Sequence, residues 1–239
     1  MIDLIHTYWL YFLVGQYPQG PLGGVALTVL LAAFALLLSM PFGLGMGLAR
    51  TSRHRALRWP ATGLVYLVRG IPLLLVVFWT YFFLPSVTGH KTDQFNTMLI
   101  ALVVFDSIYL GEIVRAGIQG VPSGQYESAR ALGLGHGRAM RSVILPQALR
   151  SMLPSLVNQF VSTIKATSLG YIIGLTDTSF IATQINTQVF TKAPQVYLLL
   201  SLTYFVLCFG LSRFAFALER RLGRRTSSPP PAATAGSAA

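Results

Sequence analysis

Long apolar runs alternate with shorter polar or basic segments along most of the chain. A helix of about 20 apolar residues is long enough to cross the hydrocarbon core of a bilayer, and each of these runs reaches that length. The pattern therefore predicts an all-α integral membrane protein with about five transmembrane helices. Their approximate ranges are 21–49, 60–84, 97–118, 151–175 and 194–218.

The segments at the two ends of the chain differ from these runs. Residues 1–20 are aromatic but too short and interrupted to span, which predicts a helix at the external membrane interface. Residues 21–222 are the predicted transmembrane domain. Residues 223–239 are rich in proline, alanine and serine, which predicts a disordered cytoplasmic tail. The glycines of Pro41–Gly47 favour close helix packing over a flexible hinge.

Composition supports a surface that faces lipid. Hydrophobic residues make up 53% of the chain and charged residues only 10%, with a mean hydropathy of +0.60. Soluble domains carry roughly 25% charged residues. Much of this protein's surface is therefore expected to contact membrane lipid.

The net charge of +11 would indicate nucleic-acid binding in a soluble protein. Here the arginines flank the apolar runs in three clusters, as cytoplasmic loops do, so no nucleic-acid partner is predicted. Placing all three clusters inside requires the amino terminus outside and the carboxyl terminus inside. The clusters are residues 50, 53, 55 and 58, then 115, 130, 138, 141 and 150, then 213, 220, 221, 224 and 225.

The polar segment at about 119–150 contains several residues that typically begin or end helices. Ser123 is placed to cap a helix that begins near Gly124, with Glu127 in its early turns. Gly133 is expected to end that helix in a left-handed turn, and Pro146 to begin or bend the next helix. These residues predict a short helix exposed at the cytoplasmic membrane surface.

The same segment resembles the EAA loop of ABC importer permeases, in which E-A-A is followed by glycine and then by an I-x-L-P run. The matching positions here are Glu127, Ser128, Ala129, Gly133, Val143, Leu145 and Pro146. Ser128 replaces an alanine and Val143 an isoleucine, both small changes. The resemblance implies a type I ABC importer permease fold, in which this helix is the coupling helix that docks into a cleft of an ATPase subunit.

Three further runs resemble permeases for polar amino acids. They are Val68–Leu74, Tyr109–Ile118 and Lys165–Leu169, and the resemblance covers about residues 20–222. Within that branch it is nearest to glutamate/aspartate permeases, with glutamine and basic amino acids as alternative substrates. Ala166 stands where many members have aspartate, which puts specificity for basic amino acids in doubt.

The resemblance also implies partners and a location. A pore of this kind needs a second permease chain (the same or a homologous one), two copies of an ATP-binding subunit and a periplasmic amino-acid-binding protein. The location is the bacterial inner membrane, with the amino terminus in the periplasm. No G-x-x-x-x-G-K-[S/T] phosphate loop occurs in the sequence. ATP and Mg are therefore expected on the partner ATPase, and no cofactor in this chain.

Ionisable groups inside a membrane are costly and are candidates for function. Arg69 and Lys165 could offset a substrate carboxylate, and Asp106 or Glu112 its ammonium. The alternative is that these four groups pair with one another. Pro72 is expected to break the second span, which frees backbone groups to line a cavity. Thr167 and Ser168 complete the candidate pore residues, in a polar stripe that could equally hold helices together.

Two other classes of protein remain as alternatives. An ion-driven secondary transporter would usually show more spans and often an internal repeat, and the chain shows no convincing repeat. A membrane-embedded enzyme would need a catalytic motif. The four histidines are scattered and form no H-E-x-x-H motif, so neither catalytic nor metal-binding residues are predicted.

Overall fold

The computed structural model describes residues 2–89, 93–189 and 191–223. Within them the chain is helical, and its only strand-like pairing is two isolated bridges, which confirms the all-α prediction. Loop residues 90–92 and the predicted tail from residue 224 lie outside this description. The helices are α1 (Ile2–Val14), α2 (Gly24–Thr51), α3 (Arg55–Arg69), α4 (Leu73–Thr88), α5 (Gln94–Gln119), α6 (Ser123–Ala131), α7 (His136–Ala139), α8 (Leu145–Ala166), α9 (Thr178–Val189) and α10 (Ala193–Gly223).

Helices α2, α5 and α10 are each long and apolar enough to cross a membrane. Helices α3 and α4 reach that criterion only as a pair. Helix α8 packs between α5 and α10. It is more polar and is not among the helices that meet this criterion of length and hydropathy. The five predicted spans therefore correspond to α2, the α3–α4 pair, α5, α8 and α10.

The second predicted span is two helices bent by 100° at their break. Gly70 ends α3, and Pro72 directly precedes α4 with φ −59° and ψ 139°. Proline lacks an N–H and forces the residue before it out of the helical region, so Ile71 cannot continue α3. The predicted break at Pro72 is confirmed, and the second predicted span is therefore a bent pair of helices.

The fourth predicted span also has different ends. Helix α8 begins at Leu145, with Pro146 in its first turn, and it ends at Ala166. The chain then tightens into a 3-10 helix, Thr167–Ile173, which Gly174 ends with a φ of +82°. The prediction of one regular helix over 151–175 is therefore corrected. Polar side chains at the start of α8 hid its first turn from the apolar pattern.

Helices α2 and α5 form the most extensive contact in the protein, and glycines allow it. A Cβ atom added at Gly47 would lie 2.5 Å from Val114 Cγ1, and one at Gly43 would lie 2.6 Å from Leu110 Cβ. On the facing helix, a Cβ at Gly111 would lie 2.8 Å from Met46 Cβ. The glycine-rich run therefore serves close packing, as predicted, because no side chain fits between the two backbones.

The predicted amino-terminal helix is present as α1, and it packs against α9 and α10 near the carboxyl end of the chain. Its Phe12 is buried in a cluster with Ile181 and Ile185 of α9 and with Val196 of α10. These contacts anchor α1 beside the loop that joins the 3-10 helix to α9.

Candidate coupling surface and membrane polar sites

Helix α6 is the predicted coupling helix, and it begins one residue earlier than expected. Pro122 occupies the capping position with an extended backbone, and Ser123 is the first helical residue. Ser123 makes no capping hydrogen bond, because a side chain caps a helix only from a non-helical residue. The prediction that Ser123 caps this helix is therefore wrong.

Gly133 ends the coupling helix as predicted. Its φ is +81°, its N–H donates to the carbonyl of Arg130 at 3.0 Å, and the Leu134 N–H donates to the carbonyl of Ala129 at 3.1 Å. This pair of bonds is a Schellman motif, which needs a left-handed residue at the position of Gly133. A Cβ at Gly133 would meet nothing within 4 Å, so backbone conformation and not space selects glycine here.

The coupling helix presents one face to its surroundings and one to the protein. Glu127, Ser128 and Gly133 are exposed, while Ala129 is buried. Just beyond the helix, Leu132 is 83% exposed. The motif residues are thus divided between an outward face free for docking and an inward contact.

The second half of the EAA-like motif forms the join between α7 and α8. A π-helical turn, Met140–Ile144, immediately precedes Leu145 and Pro146. A proline in a regular α-helix clashes with the carbonyl four residues earlier, and the wider π turn lies where that clash would occur. Leu145 packs against the apolar cluster of α5 and α8, and Pro146 is exposed.

Glu112 lies between two arginines in the second half of α5. Arg50 of α2 binds one carboxylate oxygen, and Arg115 binds the other with an Nε–Oε1 distance of 3.0 Å. The predicted partner, Arg69, instead lies over the ring of Tyr109, with 5.5 Å from its guanidinium carbon to the ring centroid. The predicted Arg69–Glu112 pair is therefore wrong, since Arg50 reaches Glu112 from a different helix.

Asp106 is also bound by other groups than predicted. Its side chain is buried in α5 and accepts hydrogen bonds from Gln159 Nε2 at 2.9 Å and from Thr163 Oγ1 at 2.8 Å, both on α8. No cation pairs with it in the described part of the chain. The predicted pairing of Asp106 with Arg69 or Lys165 is wrong, and the carboxyl joins α5 to α8 through neutral donors.

The polar residues of α8 divide into two sets. Gln159 and Thr163 face α5, so this part of the predicted stripe holds helices together. A second set, spaced three or four residues apart, lies on one exposed face of the helix. Its members are Ser151, Ser155, Asn158, Ser162 and Lys165, which we call the α8 polar face.

The three predicted residues around the end of α8 point in different directions. Lys165 is exposed and forms no ion pair within residues 2–89, 93–189 and 191–223. Thr167 is buried and donates to the carbonyl of Ile164 at 2.7 Å, and the Ser168 hydroxyl donates to the carbonyl of Lys165 at 2.6 Å. Of the three, only Lys165 presents an unpaired polar group to its surroundings.

Residues 39–224 match the sequence profile of the family described as "Binding-protein-dependent transport system inner membrane component". The chain belongs to this family. The match confirms the resemblance to ABC importer permeases and disfavours both an ion-driven transporter and a membrane enzyme.

Curated relatives of this permease are ABC transporter permeases too. The "Inner membrane amino-acid ABC transporter permease protein YhdY" of Escherichia coli (strain K12) is 33% identical over 90% of this chain, which spans 61% of that relative's length. The "Probable glutamine ABC transporter permease protein GlnP" of Bacillus subtilis (strain 168) is 36% identical over 87% of this chain and 98% of its own length.

Solved structures show the same fold. The permease matches the "Crystal structure of an amino acid ABC transporter with histidines" with a TM-score of 0.75 and 33% identity, over 81% of this chain and 90% of the other. A structure of the MetNI methionine ABC transporter matches with a TM-score of 0.63 at 20% identity, which supports the fold alone. Together they establish the type I permease fold.

One polar junction of the permease was missed by the sequence-based reasoning. Asp177 is fully buried where the 3-10 helix meets α9, and its Oδ1 accepts from the N–H of Phe180 at 2.9 Å. Nearby, the hydroxyls of Thr28 and Thr178 are 2.8 Å apart and join α2 to α9. An aspartate directly before Thr178-Ser179 is a capping signal that could have revealed α9.

Burial away from water raises the pKa of Asp177 to about 7, although hydrogen bonds from the backbone and from Tyr204 oppose that rise. Desolvation penalises the charged form of a carboxyl. The Tyr204 hydroxyl lies 3.5 Å from Asp177 Oδ2 and 3.3 Å from Ser179 Oγ. Asp177 therefore connects α9 to α10, close to where Gly24 of α2 pairs with the same segment.

Proposed function

We propose that this permease forms half of the pore of an ATP-driven amino-acid importer, and that the α8 polar face lines the route. The supporting observation is the exposure of that face on a helix held in the transmembrane domain. Polar side chains at membrane depth face a water-filled cavity or another chain rather than lipid. Ser151 and Ser155 also line, with Glu112, an open cleft between α5 and α8.

The second half of the pore is a second permease chain, either identical or homologous. Two copies of an ATP-binding subunit would bind the outward faces of the two coupling helices, and they would hold the ATP and Mg. A periplasmic amino-acid-binding protein would deliver the substrate. The exposed Glu127 and Leu132 support this docking, because they lie on the segment predicted to be cytoplasmic and are not buried by their own chain.

The amino terminus is proposed to face the periplasm and the carboxyl terminus the cytoplasm. Its test uses single cysteines in a Cys208→Ser background and a thiol reagent that cannot cross membranes. Thr187→Cys, at an exposed position of α9, should label in intact spheroplasts, and His54→Cys, between α2 and α3, should label only after lysis. The opposite labelling pattern would invert the topology.

The substrate proposed is a polar amino acid, with glutamate or aspartate first. Relatives named for glutamate/aspartate, glutamine, arginine and cystine all lie between 32% and 37% identity, so the names alone do not separate these substrates. The distribution of charged side chains favours an acidic substrate. Glu112 is bound by two arginines and Asp106 is buried, whereas Arg69 and Lys165 are exposed cations without an ion pair in the described residues.

Lys165 is the group on which this proposal depends most. It ends the α8 polar face, and its ammonium could offset the side-chain carboxylate of a substrate as that carboxylate loses water. Removing one such contact typically changes affinity by about tenfold. The buried Asp106 and the neutralised Glu112 are left with a structural role, so the substrate ammonium would be bound by hydroxyl and carbonyl oxygens.

The decisive experiment purifies the complex in lipid and measures ATP hydrolysis with the binding protein and a panel of acidic, amide and basic amino acids. Glutamate or aspartate should stimulate hydrolysis most. Stimulation by glutamine or arginine alone would refute the acidic substrate while leaving the importer assignment in place.

Glutamate uptake should fall about tenfold in Lys165→Ala. Lys192→Ala, which removes a half-buried lysine away from α8, is the control and should transport normally.

A further inference from the structure

Tyr126 of the coupling helix lies at the meeting point of three chain segments. Its hydroxyl accepts a hydrogen bond from Arg53 Nη2 at 3.1 Å and lies 3.0 Å from His136 Nδ1. Arg53 belongs to the short link between α2 and α3, and His136 is the first residue of α7. One hydroxyl therefore connects the coupling helix to the segment after α2 and to the segment that leads into α8.

The ring of Tyr126 strengthens the same connection. The guanidinium carbon of Arg53 lies 5.8 Å from the centroid of the ring, which is within the range of a cation–π contact. The His136 ring meets it edge-on, with 5.7 Å between centroids. The inner side of Tyr126 packs against the apolar cluster that contains Ile144 and Ala148. Tyr126 is thus half-buried, whereas its neighbours Gln125 and Glu127 are exposed.

Few other contacts hold the coupling helix to the transmembrane domain. Ala129 is its one buried residue, and Gln125 accepts a bond from Gln147 Nε2 at 3.2 Å. Neither contact reaches α2 or the α2–α3 link. Among the described residues, Tyr126 is the residue of the coupling helix whose side chain forms a hydrogen bond with the α2–α3 link.

We propose that Tyr126, through Arg53 and His136, is a positioning residue that transmits displacement of the coupling helix to α2 and α8. The proposal rests on docking of that helix to the ATPase, and it adds the path by which the motion enters the membrane helices. A displaced helix moves its neighbours only through contacts that persist during the movement. Arg53 and His136 provide such contacts to two different segments of the chain.

The test separates transmission from docking by measuring amino acid transported per ATP hydrolysed in proteoliposomes, together with the amount of ATPase bound. Tyr126→Phe keeps the ring and its packing and removes only the hydroxyl. Transport per ATP is expected to fall about threefold to tenfold, the factor that corresponds to one lost hydrogen bond. Tyr197→Phe, which changes an exposed tyrosine of α10 in the same way, should leave the ratio unchanged.

Arg53→Gln provides a second variant outside the coupling helix, so the test does not depend on that helix remaining intact. It should lower the same ratio. The double variant Arg53→Gln/Tyr126→Phe should lose less than the product of the two single effects, because both changes remove the Arg53–Tyr126 hydrogen bond. An unchanged ratio in both single variants, with ATPase bound normally, would overturn the proposal. Loss of bound ATPase with an unchanged ratio would likewise overturn it, since Tyr126 would then serve docking and not transmission.

Discussion

Helix α5 lies against α2 along most of its length, whereas the coupling helix α6, which follows α5 after three residues, is largely exposed. The first contact is apolar, buried and so close that glycine is the only residue that fits. The second depends on one buried alanine, a few polar side chains and a left-handed turn. The close contact between α2 and α5 thus lies directly beside the weakly held helix α6.

Glycine serves both regions for different physical reasons. At Gly47 the limit is space, because Val114 and the carbonyl of Gly111 lie where a Cβ would be placed. At Gly133 the limit is the backbone, since its φ is +81° and the surrounding space is empty. Substitutions can therefore damage folding in one region and coupling in the other.

The largest effect is expected for Gly47→Ala. The added Cβ would force α2 and α5 apart, and overpacking of this kind costs roughly 1–3 kcal/mol. Membrane levels and the thermal midpoint in detergent should both fall. Gly45→Ala is the matched control, because nothing lies within 4 Å of its Cβ, and it should fold normally. Equal losses in the two variants would show that close packing at Gly47 is not the cause, because alanine is the better helix former at both positions.

A pH titration extends the comparison to a buried contact that is polar. The pKa of Asp177 is raised from 3.8 to about 7 in the fold, so folding favours its protonated form. Its contribution to stability is complete below the unfolded pKa and is lost as pH rises through the folded one. The total loss is on the order of a few kcal/mol, and the hydrogen bonds that oppose the burial penalty are already included in that pKa.

The measurement is the thermal midpoint across that range of pH. Wild type should lose stability as the pH rises, and Asp177→Asn should lose less, because the amide does not titrate. A parallel decline in both proteins would mean that other groups cause the pH dependence.

Gly133→Ala should act on coupling more than on folding. A left-handed residue with a side chain costs about 1–2 kcal/mol, and the cost falls on a local, exposed turn. Protein levels should stay near normal while transport falls severalfold. Gly137→Ala, at an open position with an ordinary φ, should have no effect. Normal transport in Gly133→Ala would show that the left-handed turn is dispensable.

The smallest effect is expected for Ser123→Ala, because Ser123 makes no capping bond. Asp93, by contrast, caps α5 by accepting from the N–H of Asn96 at 3.2 Å. Asp93→Ala should lower the thermal midpoint, by a free energy of about 1 kcal/mol, and Ser123→Ala should leave it unchanged. A loss of stability in Ser123→Ala would indicate a capping role in solution.

Much of the helix pattern could be predicted from the sequence because it depends on local rules. Apolar run length located α2, α5 and α10, Pro72 marked the break between α3 and α4, and Gly133 marked the end of the coupling helix. Helix α8 was placed less well, because its polar first turn and its 3-10 continuation do not follow the apolar pattern of a span.

Side-chain partners could not be predicted in the same way. Depth in the membrane suggested that Glu112 pairs with Arg69, whereas Arg50 reaches it from α2, and Asp106 binds neutral donors of α8. Predicted depth gives the height of a group along the membrane normal. It does not give the direction in which the group points around its helix, and that direction selects the partner.

The amino-acid sequence by itself determined the helical class, the membrane location, the break at Pro72 and the exposed coupling segment, because length, hydrophobicity and backbone preference act within a few residues. Only the tertiary structure decided the 100° bend of α3 against α4, the glycine contact of α2 with α5 and the meeting of Arg53, Tyr126 and His136. Each of these depends on how separate helices approach one another, and that approach is set by packing between residues far apart in the chain.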